Sequence, residues 1–280
     1  MRTLLVSGAN EAFMPLLRGL LGSIARFKPI GDLAVLDVGL TTASRDWLAR
    51  QVRHIVEPGW DLPVDPGLRA REPHLRALTA RPFLRDYFPG YDKYLWIDAD
   101  TWVQARSALE WYAAVATHDR LAITPQVDRA YRHDDNMLRW RFGRMQTCHG
   151  KAAAQRLLWD TYFNAGVFCL ESAAPHWQLW AAHFRAGLTA CSGTVCCDQT
   201  ALNHAIWSEG LAVHPLPALC NWLCHLAAPY VDPVSGQLSE PLAPRKAIGI
   251  VHLSATSKEL TLERPGPHGI RVLSLRSPYG

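Results

Sequence analysis

The chain has 280 residues, 49% of them apolar, and a formal net charge of +4. No run approaches the ~18 consecutive apolar residues of a membrane span, and the scattered arginines form no patch of the kind that binds nucleic acid, so the sequence excludes both classes. The length suits one large α/β domain or two small ones, and the modest charge indicates a mildly basic solvated surface.

In the N-terminal half, apolar strands alternate with amphipathic helices. Strands are predicted at residues 3–7, 33–38, 54–56, 94–97 and 121–124, and helices at 13–24, around 47–48, at 68–87 with interruptions at Pro73 and Pro82, and at 108–116. This alternation predicts an α/β protein with a mostly parallel sheet flanked by helices. The first apolar run is too short for a signal peptide. We therefore expect a cytoplasmic protein, with peripheral membrane contact as the alternative.

Residues 126–159 break this pattern, because aromatic residues and arginines alternate there without a clear period. A long irregular excursion in a compact domain is usually functional, so we expect a lid over the site or a plain surface loop. Further on, residues 229–244 are rich in loop-forming residues, and residues 264–269 predict a turn before a short apolar strand at 270–275.

The fourth predicted strand runs directly into Asp98 and Asp100, which are separated by one small residue. Side chains two apart lie on the same face of an extended strand, and two such carboxylates repel each other unless a cation lies between them. An all-oxygen site suits Mg²⁺ or Mn²⁺ with open positions for phosphate oxygens. The alternative is a strand end with two solvated aspartates. Ligands of parallel sheets bind at the carboxyl ends of the strands, where this pair falls.

Three later segments carry further candidates. Asn164 and Ala165 precede a glycine in an apolar strand, where the chain can approach a ligand closely or simply end the strand tightly. Asp198 and Gln199 open a predicted helix, with Asp198 as its cap, as a functional residue, or as both. His252 ends a buried strand, and is either a ligand or a core histidine.

As an ordered set, these motifs resemble the family 8 glycosyltransferases, a retaining group, from the first strand to Lys258. The resemblance implies a single GT-A domain over residues 1–280, with a nucleotide-binding half (about 1–125), a sugar and acceptor half (about 126–260) and a C-terminal extension (261–280). It also implies transfer of a hexose from a UDP-sugar to a glycan or glycolipid acceptor, with Mn²⁺ or alternatively Mg²⁺. By that resemblance Asp98, Asp100 and His252 bind the metal, and Lys258 contacts the diphosphate.

The same resemblance assigns the remaining donor contacts. Asn164 and Ala165 would line the donor sugar, and the turn at Ala9 and Asn10 would hold the uridine. Asp198 and Gln199 would lie beside the transferred sugar. Because an amide is a poor nucleophile, we expect Gln199 to stabilise an oxocarbenium-like sugar while the acceptor attacks on the leaving-group face. Asp198 would hydrogen-bond a sugar hydroxyl.

The chain departs from the family pattern at three points. Thr200 stands where an acid is frequent, Ala255 where a glycine is usual, and Glu259 follows the lysine where the family has proline. These changes bear on the diphosphate loop and leave the metal triad intact. Two rival functions are a sugar-nucleotide-binding relative that has lost turnover and a haloacid-dehalogenase-type phosphatase with Asp98 as nucleophile. The phosphatase is disfavoured because its motif normally lies near the N terminus.

Overall fold

The computed structural model describes residues 1–266 and 269–279. Its strands are β1 (Thr3–Ala9), β2 (Asp32–Asp37), β3 (His54–Val56), β4 (Lys93–Ile97), β5 (Thr101–Val103), β6 (Leu121–Pro125), β7 (Phe163–Glu171), β8 (Val213–Pro215), β9 (Trp222–Leu223), β10 (Tyr230–Val231), β11 (Leu238–Ser239), β12 (Ile250–His252), β13 (Thr261–Gly266) and β14 (Gly269–Ser274). Its α-helices are α1 (Met14–Ala25), α2 (Thr42–Leu48), α3 (Pro66–Arg71), α4 (Arg76–Ala80), α5 (Leu84–Tyr87), α6 (Arg106–Val115), α7 (Asp135–Gln155), α8 (His176–Ala190) and α9 (Asp198–Glu209).

A seven-stranded central sheet runs in the order β3-β2-β1-β4-β7-β6-β8 through the described part of the chain. The pairs from β3 to β4 are parallel, as is β6 with β8, whereas β7 runs antiparallel to both of its neighbours. This is the mixed, mostly parallel sheet that the sequence predicts. Because β7 is reversed, its first residues meet the last residues of β1, β4 and β6 at one edge.

Both faces of the sheet are covered, so its central strands are apolar throughout. Tyr94 and Trp96 of β4 pack with Trp177 and Trp180 of α8 on one face, whereas Leu95 packs with the apolar side of α1 on the other. Strands buried on both faces lack the alternation of a half-exposed strand, which is why this part of the sheet is recognisable in the sequence as short apolar runs.

A small second sheet, β5-β12-β9, brings the C-terminal part of the chain to the end of β4. His252 pairs with Thr101 in the antiparallel β12–β5 ladder, and the Leu253 N–H donates to the Asp100 carbonyl at 2.8 Å. Residues about 150 positions apart in sequence therefore share one site through backbone pairing.

The predicted irregular segment is wrong over most of its length, because residues 135–155 form helix α7 with one break at Gly150, where φ is 86°. Asp134 caps the helix by accepting from the Met137 N–H at 2.7 Å. Buried positions recur at helical spacing, but they include Arg141 and Cys148 beside Met145, so hydrophobicity alone does not show the period.

Other differences are local. The predicted helix at 68–87 is divided into α3, α4 and α5 by 3₁₀ turns that begin at Pro73 and Arg81, as the prolines indicated. Helix α8 was not predicted. The predicted turn at 264–269 includes positions 267 and 268, which lie outside the described residues. Among the described helices, none combines the length and apolar character needed to cross a membrane.

Candidate active site

The two candidate carboxylates lie in a tight turn at the carboxyl end of β4. The Thr101 N–H and Oγ1–H both donate to the Asp98 carbonyl, at 3.1 and 2.7 Å, and the Asp98 N–H donates to the Gly166 carbonyl at 2.8 Å. These bonds fix the chain so that both acids face His252. The His252 Nε2 atom lies 3.8 Å from Asp98 Oδ2 and 3.3 Å from Asp100 Oδ1.

Hydrogen bonds show that Nδ1 of His252 carries a hydrogen. The Gly166 N–H donates to Asn164 Oδ1 at 2.9 Å, which identifies that atom as the oxygen, so Asn221 must donate to it through Nδ2, at 2.8 Å. Asn221 therefore presents Oδ1 to His252 Nδ1, also at 2.8 Å. Nδ1 then carries a hydrogen, and Nε2 is the nitrogen that faces the two carboxylates.

Gly166 is the close approach that this arrangement requires. A Cβ atom at this position would lie 2.3 Å from His252 Cε1 and 2.8 Å from Asp98 Oδ2. No side chain fits in that space, so Gly166 allows β7 to pass directly beneath the imidazole.

The donor set suits a divalent cation. One atom each from Asp98, Asp100 and His252 lie within 4.8 Å of one another, and an amide that bonds the other nitrogen of a ligating imidazole, as Asn221 does here, is typical of metal sites. Two carboxylates and one nitrogen suit Mn²⁺ or Mg²⁺ rather than a thiolate-seeking metal. The residues therefore fit the expected ion.

The two carboxylates differ electrostatically. Burial raises the pKa of Asp98 and the neighbouring Asp100 raises it further, whereas Arg81 lowers it. Burial also acts to raise the pKa of Asp100, but His252 and Lys258 outweigh it and bring that pKa to about 2. Asp100 is therefore the more firmly ionised of the two acids.

Lys258 lies beside the acids. Its Nζ donates to Asp100 Oδ2 at 2.7 Å and to the Leu253 carbonyl at 3.2 Å, and it lies 5.5 Å from the Phe13 ring centroid. The preceding loop contains Ala255 at φ 51°, in the left-handed region that favours glycine. The loop thus keeps a backbone shape suited to glycine although alanine occupies the position.

Asn164, Ala165 and Gln199 form one hydrogen-bonded group. The Ala165 N–H donates to Gln199 Oε1 at 2.9 Å, and Asn164 Nδ2 donates to the same oxygen at 3.2 Å. Both lone pairs of that oxygen are therefore engaged. The group continues through Asn164 and Asn221 to His252, so a chain of amides connects Gln199 with the candidate metal ligand.

Arg81 joins Asp98 and Asp198, and neither this arginine nor Asn221 was predicted. Its Nη1 donates to Asp198 Oδ2 at 2.8 Å, its Nη2 donates to Asp98 Oδ1, and its guanidinium lies 4.4 Å from the Trp96 ring centroid. The prediction of Asp198 as a helix cap is wrong, because α9 begins at Asp198 itself and this carboxylate turns toward Arg81.

A signal for Asn221 was present in the sequence. It is an amide flanked by Cys220 and Trp222 within an apolar run, and such a residue is usually buried with satisfied hydrogen bonds. Arg81 offered no comparable signal, since arginines before prolines occur widely in loops and helix starts.

A cavity of about 220 Å³ opens beside the acids at the ends of β1 and β4. Its lining includes Ala9, Asn10 and Phe13 on one side and Asp98 and Asp100 on the other. Asn10 Oδ1 accepts from the Phe13 N–H at 3.1 Å and so holds the turn after β1. The residues predicted for the nucleotide thus lie next to those predicted for the metal.

Comparison with known proteins identifies the fold. No family model matches the chain, and no curated protein matches it. The galactosyltransferase LgtC, solved with donor and acceptor sugar analogues, is 17% identical over 90% of this chain and 87% of its own, with a TM-score of 0.55. Mouse xyloside xylosyltransferase 1 is 15% identical over 91% and 98%, with a TM-score of 0.53.

The bifunctional glycosyltransferase WbbM is 17% identical over 78% of this chain, with a TM-score of 0.52, and the chain spans 39% of WbbM's length. These likenesses, with the seven-stranded sheet, show that the described chain has a GT-A glycosyltransferase fold.

Proposed function

We propose that this protein is a metal-dependent glycosyltransferase of the family 8 type, which transfers a hexose from a UDP-sugar to a hydroxyl of a glycan or glycolipid. The observation that carries the proposal is the meeting of Asp98, Asp100 and Nε2 of His252 beside a cavity at the carboxyl edge of a GT-A sheet. Mn²⁺ is the proposed ion, with Mg²⁺ as the alternative.

Asp98, Asp100 and His252 would hold the ion, which when bound neutralises negative charge on the diphosphate leaving group. Lys258 adds a second positive charge next to Asp100. Electrostatic stabilisation of this kind is usually the largest contribution to such a transfer. Lys258 would turn from Asp100 toward the phosphate, a short movement for a flexible side chain.

The nucleotide would occupy the cavity at Ala9 and Asn10, in the half of the domain formed by residues 1–125. The sugar would lie toward Asn164 and Ala165, whose backbone Gln199 holds in place. Because both lone pairs of Gln199 Oε1 are engaged, a direct role at the anomeric carbon requires its amide to turn. Asp198, fixed by Arg81, would hydrogen-bond a sugar hydroxyl.

We further propose retention of configuration. Gln199 is an amide and a poor nucleophile, and the Asp198 carboxylate is paired with Arg81, so the departing phosphate oxygen would accept the proton of the attacking hydroxyl. The phosphatase alternative is not favoured, because its downstream acidic pair would have to be Asp134 and Asp135. Asp134 caps α7 instead and accepts from the Met137 N–H.

A thermal-shift panel of nucleotide sugars, with and without Mn²⁺, tests the proposal. We expect one UDP-sugar to raise the melting temperature when Mn²⁺ is present, and to be slowly hydrolysed. Asp100→Asn should lose both effects. Stabilisation without hydrolysis or transfer would favour the relative that has lost turnover, and no stabilisation by any nucleotide sugar would contradict the proposal.

A further inference from the structure

Arg141 of α7 is a buried cation without a carboxylate partner among the described residues. It is 7% exposed. Its Nη2 donates to Gln126 Oε1 and lies 3.2 Å from Met137 Sδ, and its Nη1 lies 3.4 Å from His133 Nδ1. The guanidinium lies 5.1 Å from the Tyr162 ring centroid. All of these contacts are with groups that carry no negative charge.

The other buried arginine near the site, Arg81, has contacts typical of a structural role. Arg81, also 7% exposed, forms ion pairs with two carboxylates, Asp98 and Asp198. Buried charges are normally paired because desolvation otherwise destabilises the fold. A buried guanidinium without a carboxylate partner is therefore a candidate for binding an anion supplied from outside.

The order of strands at the carboxyl edge places Arg141 on the far side of the metal site from the nucleotide cavity. β1, which leads to Ala9 and the cavity, lies next to β4 and Asp98. The start of β7 follows, and then the end of β6, after which Gln126 contacts Arg141. In the proposed function this far side receives the acceptor.

Two imidazoles lie near Arg141. His225 bonds Ser254 Oγ through Nδ1 at 2.6 Å. Burial and then the nearby His252, Arg141, His133 and Lys258 lower the pKa of His225 to about 4, and burial and Arg141 lower the pKa of His133. The Arg132 N–H donates to the Leu226 carbonyl at 3.0 Å, so the chain next to His133 is bonded to the chain next to His225. Neutral imidazoles offer N–H donors beside one permanent positive charge.

We propose that Arg141, His133 and His225 bind an anionic group, a phosphate or a carboxylate, carried by the acceptor sugar. Guanidinium groups bind both anions through paired N–H donors. The identity of the bound molecule as the acceptor rests on the proposed function, whereas the anion site does not. This protein should therefore bind negatively charged acceptor sugars more tightly than neutral ones.

Three sugars that share the glucose ring and differ in the group at C6 test the proposal: neutral glucose, and the anions glucose 6-phosphate and glucuronic acid. Binding is followed by calorimetry and by the ring NMR signals of His133 and His225, with UDP and Mg²⁺ saturating so that the diphosphate site is filled; Mg²⁺ replaces Mn²⁺ here because it does not broaden NMR signals. We expect at least one charged sugar to bind ten times more tightly than glucose and to shift both histidine signals. The sugar that does so identifies the group.

Arg141→Gln should lose this preference at least tenfold. The matched control is Arg156→Gln, which changes an arginine of the same region that bonds Asp160 and the Trp207 carbonyl; it should bind like the wild type. Equal binding of all three sugars by the wild type, or an unchanged preference in Arg141→Gln, would overturn the proposal.

Arg141→Met separates this role from a structural one. Removal of an unpaired buried charge should leave the melting temperature unchanged or raise it, whereas loss of a structural arginine would lower it. A lower melting temperature would contradict the proposal. UDP and Mn²⁺ binding is measured separately in each variant, and the sugar titrations are repeated without nucleotide. Absence of UDP binding would therefore contradict the proposed function without deciding the anion site.

Discussion

Among single residues, the proposed metal site depends on the hydrogen-bonded amides that orient His252. The Gly166 N–H fixes Asn164, Asn164 fixes Asn221, and Asn221 fixes the protonated nitrogen of the imidazole. The first step is a backbone N–H, which can only donate, and this sets the direction of the two side-chain bonds that follow. His252, the proposed metal ligand, is thus oriented by residues that would not contact the metal.

Asn221→Ala should weaken Mn²⁺ binding about 10- to 100-fold, because residues that hydrogen-bond a metal ligand contribute on this scale. Asn203→Ala is the matched control, since Asn203 is also fully buried and bonds the Phe163 backbone but does not reach His252. Each change should lower the free energy of unfolding by ~1–3 kcal/mol. Mn²⁺ titration followed by electron paramagnetic resonance measures the difference. Equal affinity in the two variants would contradict the positioning role.

Ala255→Gly should raise the free energy of unfolding by about 0.5 kcal/mol, because relief of the left-handed strain exceeds the entropy that glycine loses on folding. The strain is local to φ 51°. Ala182→Gly, on the exposed side of α8, should instead lower the free energy of unfolding by about 1 kcal/mol. Urea unfolding measures both, and a loss of stability in Ala255→Gly would show that the loop is not strained.

At the scale of elements, Arg81 attaches the start of α9 to the end of β4 through Asp198 and Asp98. Arg81→Met would leave two carboxylates without their cation, and we expect a loss of ~3–5 kcal/mol in the free energy of unfolding. The double variant Arg81→Met/Asp198→Asn should recover part of this loss. Chemical denaturation measures it, and additive effects of the two changes would contradict the pairing.

Three helices also meet at a histidine cluster. His149 of α7 stacks on His204 of α9 with ring centroids 4.1 Å apart, and His204 Nδ1 lies 2.8 Å from His183 Nδ1 of α8. Burial and the neighbouring histidines lower the pKa of His149 to about 3 and that of His204 to about 4. Both rings are therefore held neutral in the folded protein.

The cluster predicts a loss of stability in mild acid. Unfolded histidines titrate near pH 6.5, so between about pH 6.5 and 4 the unfolded chain binds more protons than the folded chain, and stability falls as the pH falls. Urea unfolding should show a free energy lower by on the order of 2 kcal/mol at pH 5 than at pH 7.5. His204→Gln should flatten this profile; an unchanged profile would contradict the role of the cluster.

At the scale of the whole molecule, local sequence pattern predicted the central sheet well because β1 and β4 are buried on both faces and stand out as apolar runs. It missed α7 because the buried positions of that helix include Arg141 and Cys148. Asp98 and His252 were assigned to one site only through a family resemblance, since no local pattern encodes the β12–β5 pairing that joins them. Arg81 acts through tertiary contacts alone and was not found, whereas Asn221 was missed although its place in an apolar run was a signal.

We propose above that one cation is held jointly by Asp98, Asp100 and His252. It is tested most directly by Mn²⁺ titration of the protein in the presence of UDP, followed by electron paramagnetic resonance, in the wild type and in His252→Gln. We expect one bound Mn²⁺ ion in the wild type and an Mn²⁺ affinity at least about 100-fold weaker in the variant. Equal Mn²⁺ affinity in the two proteins would contradict it.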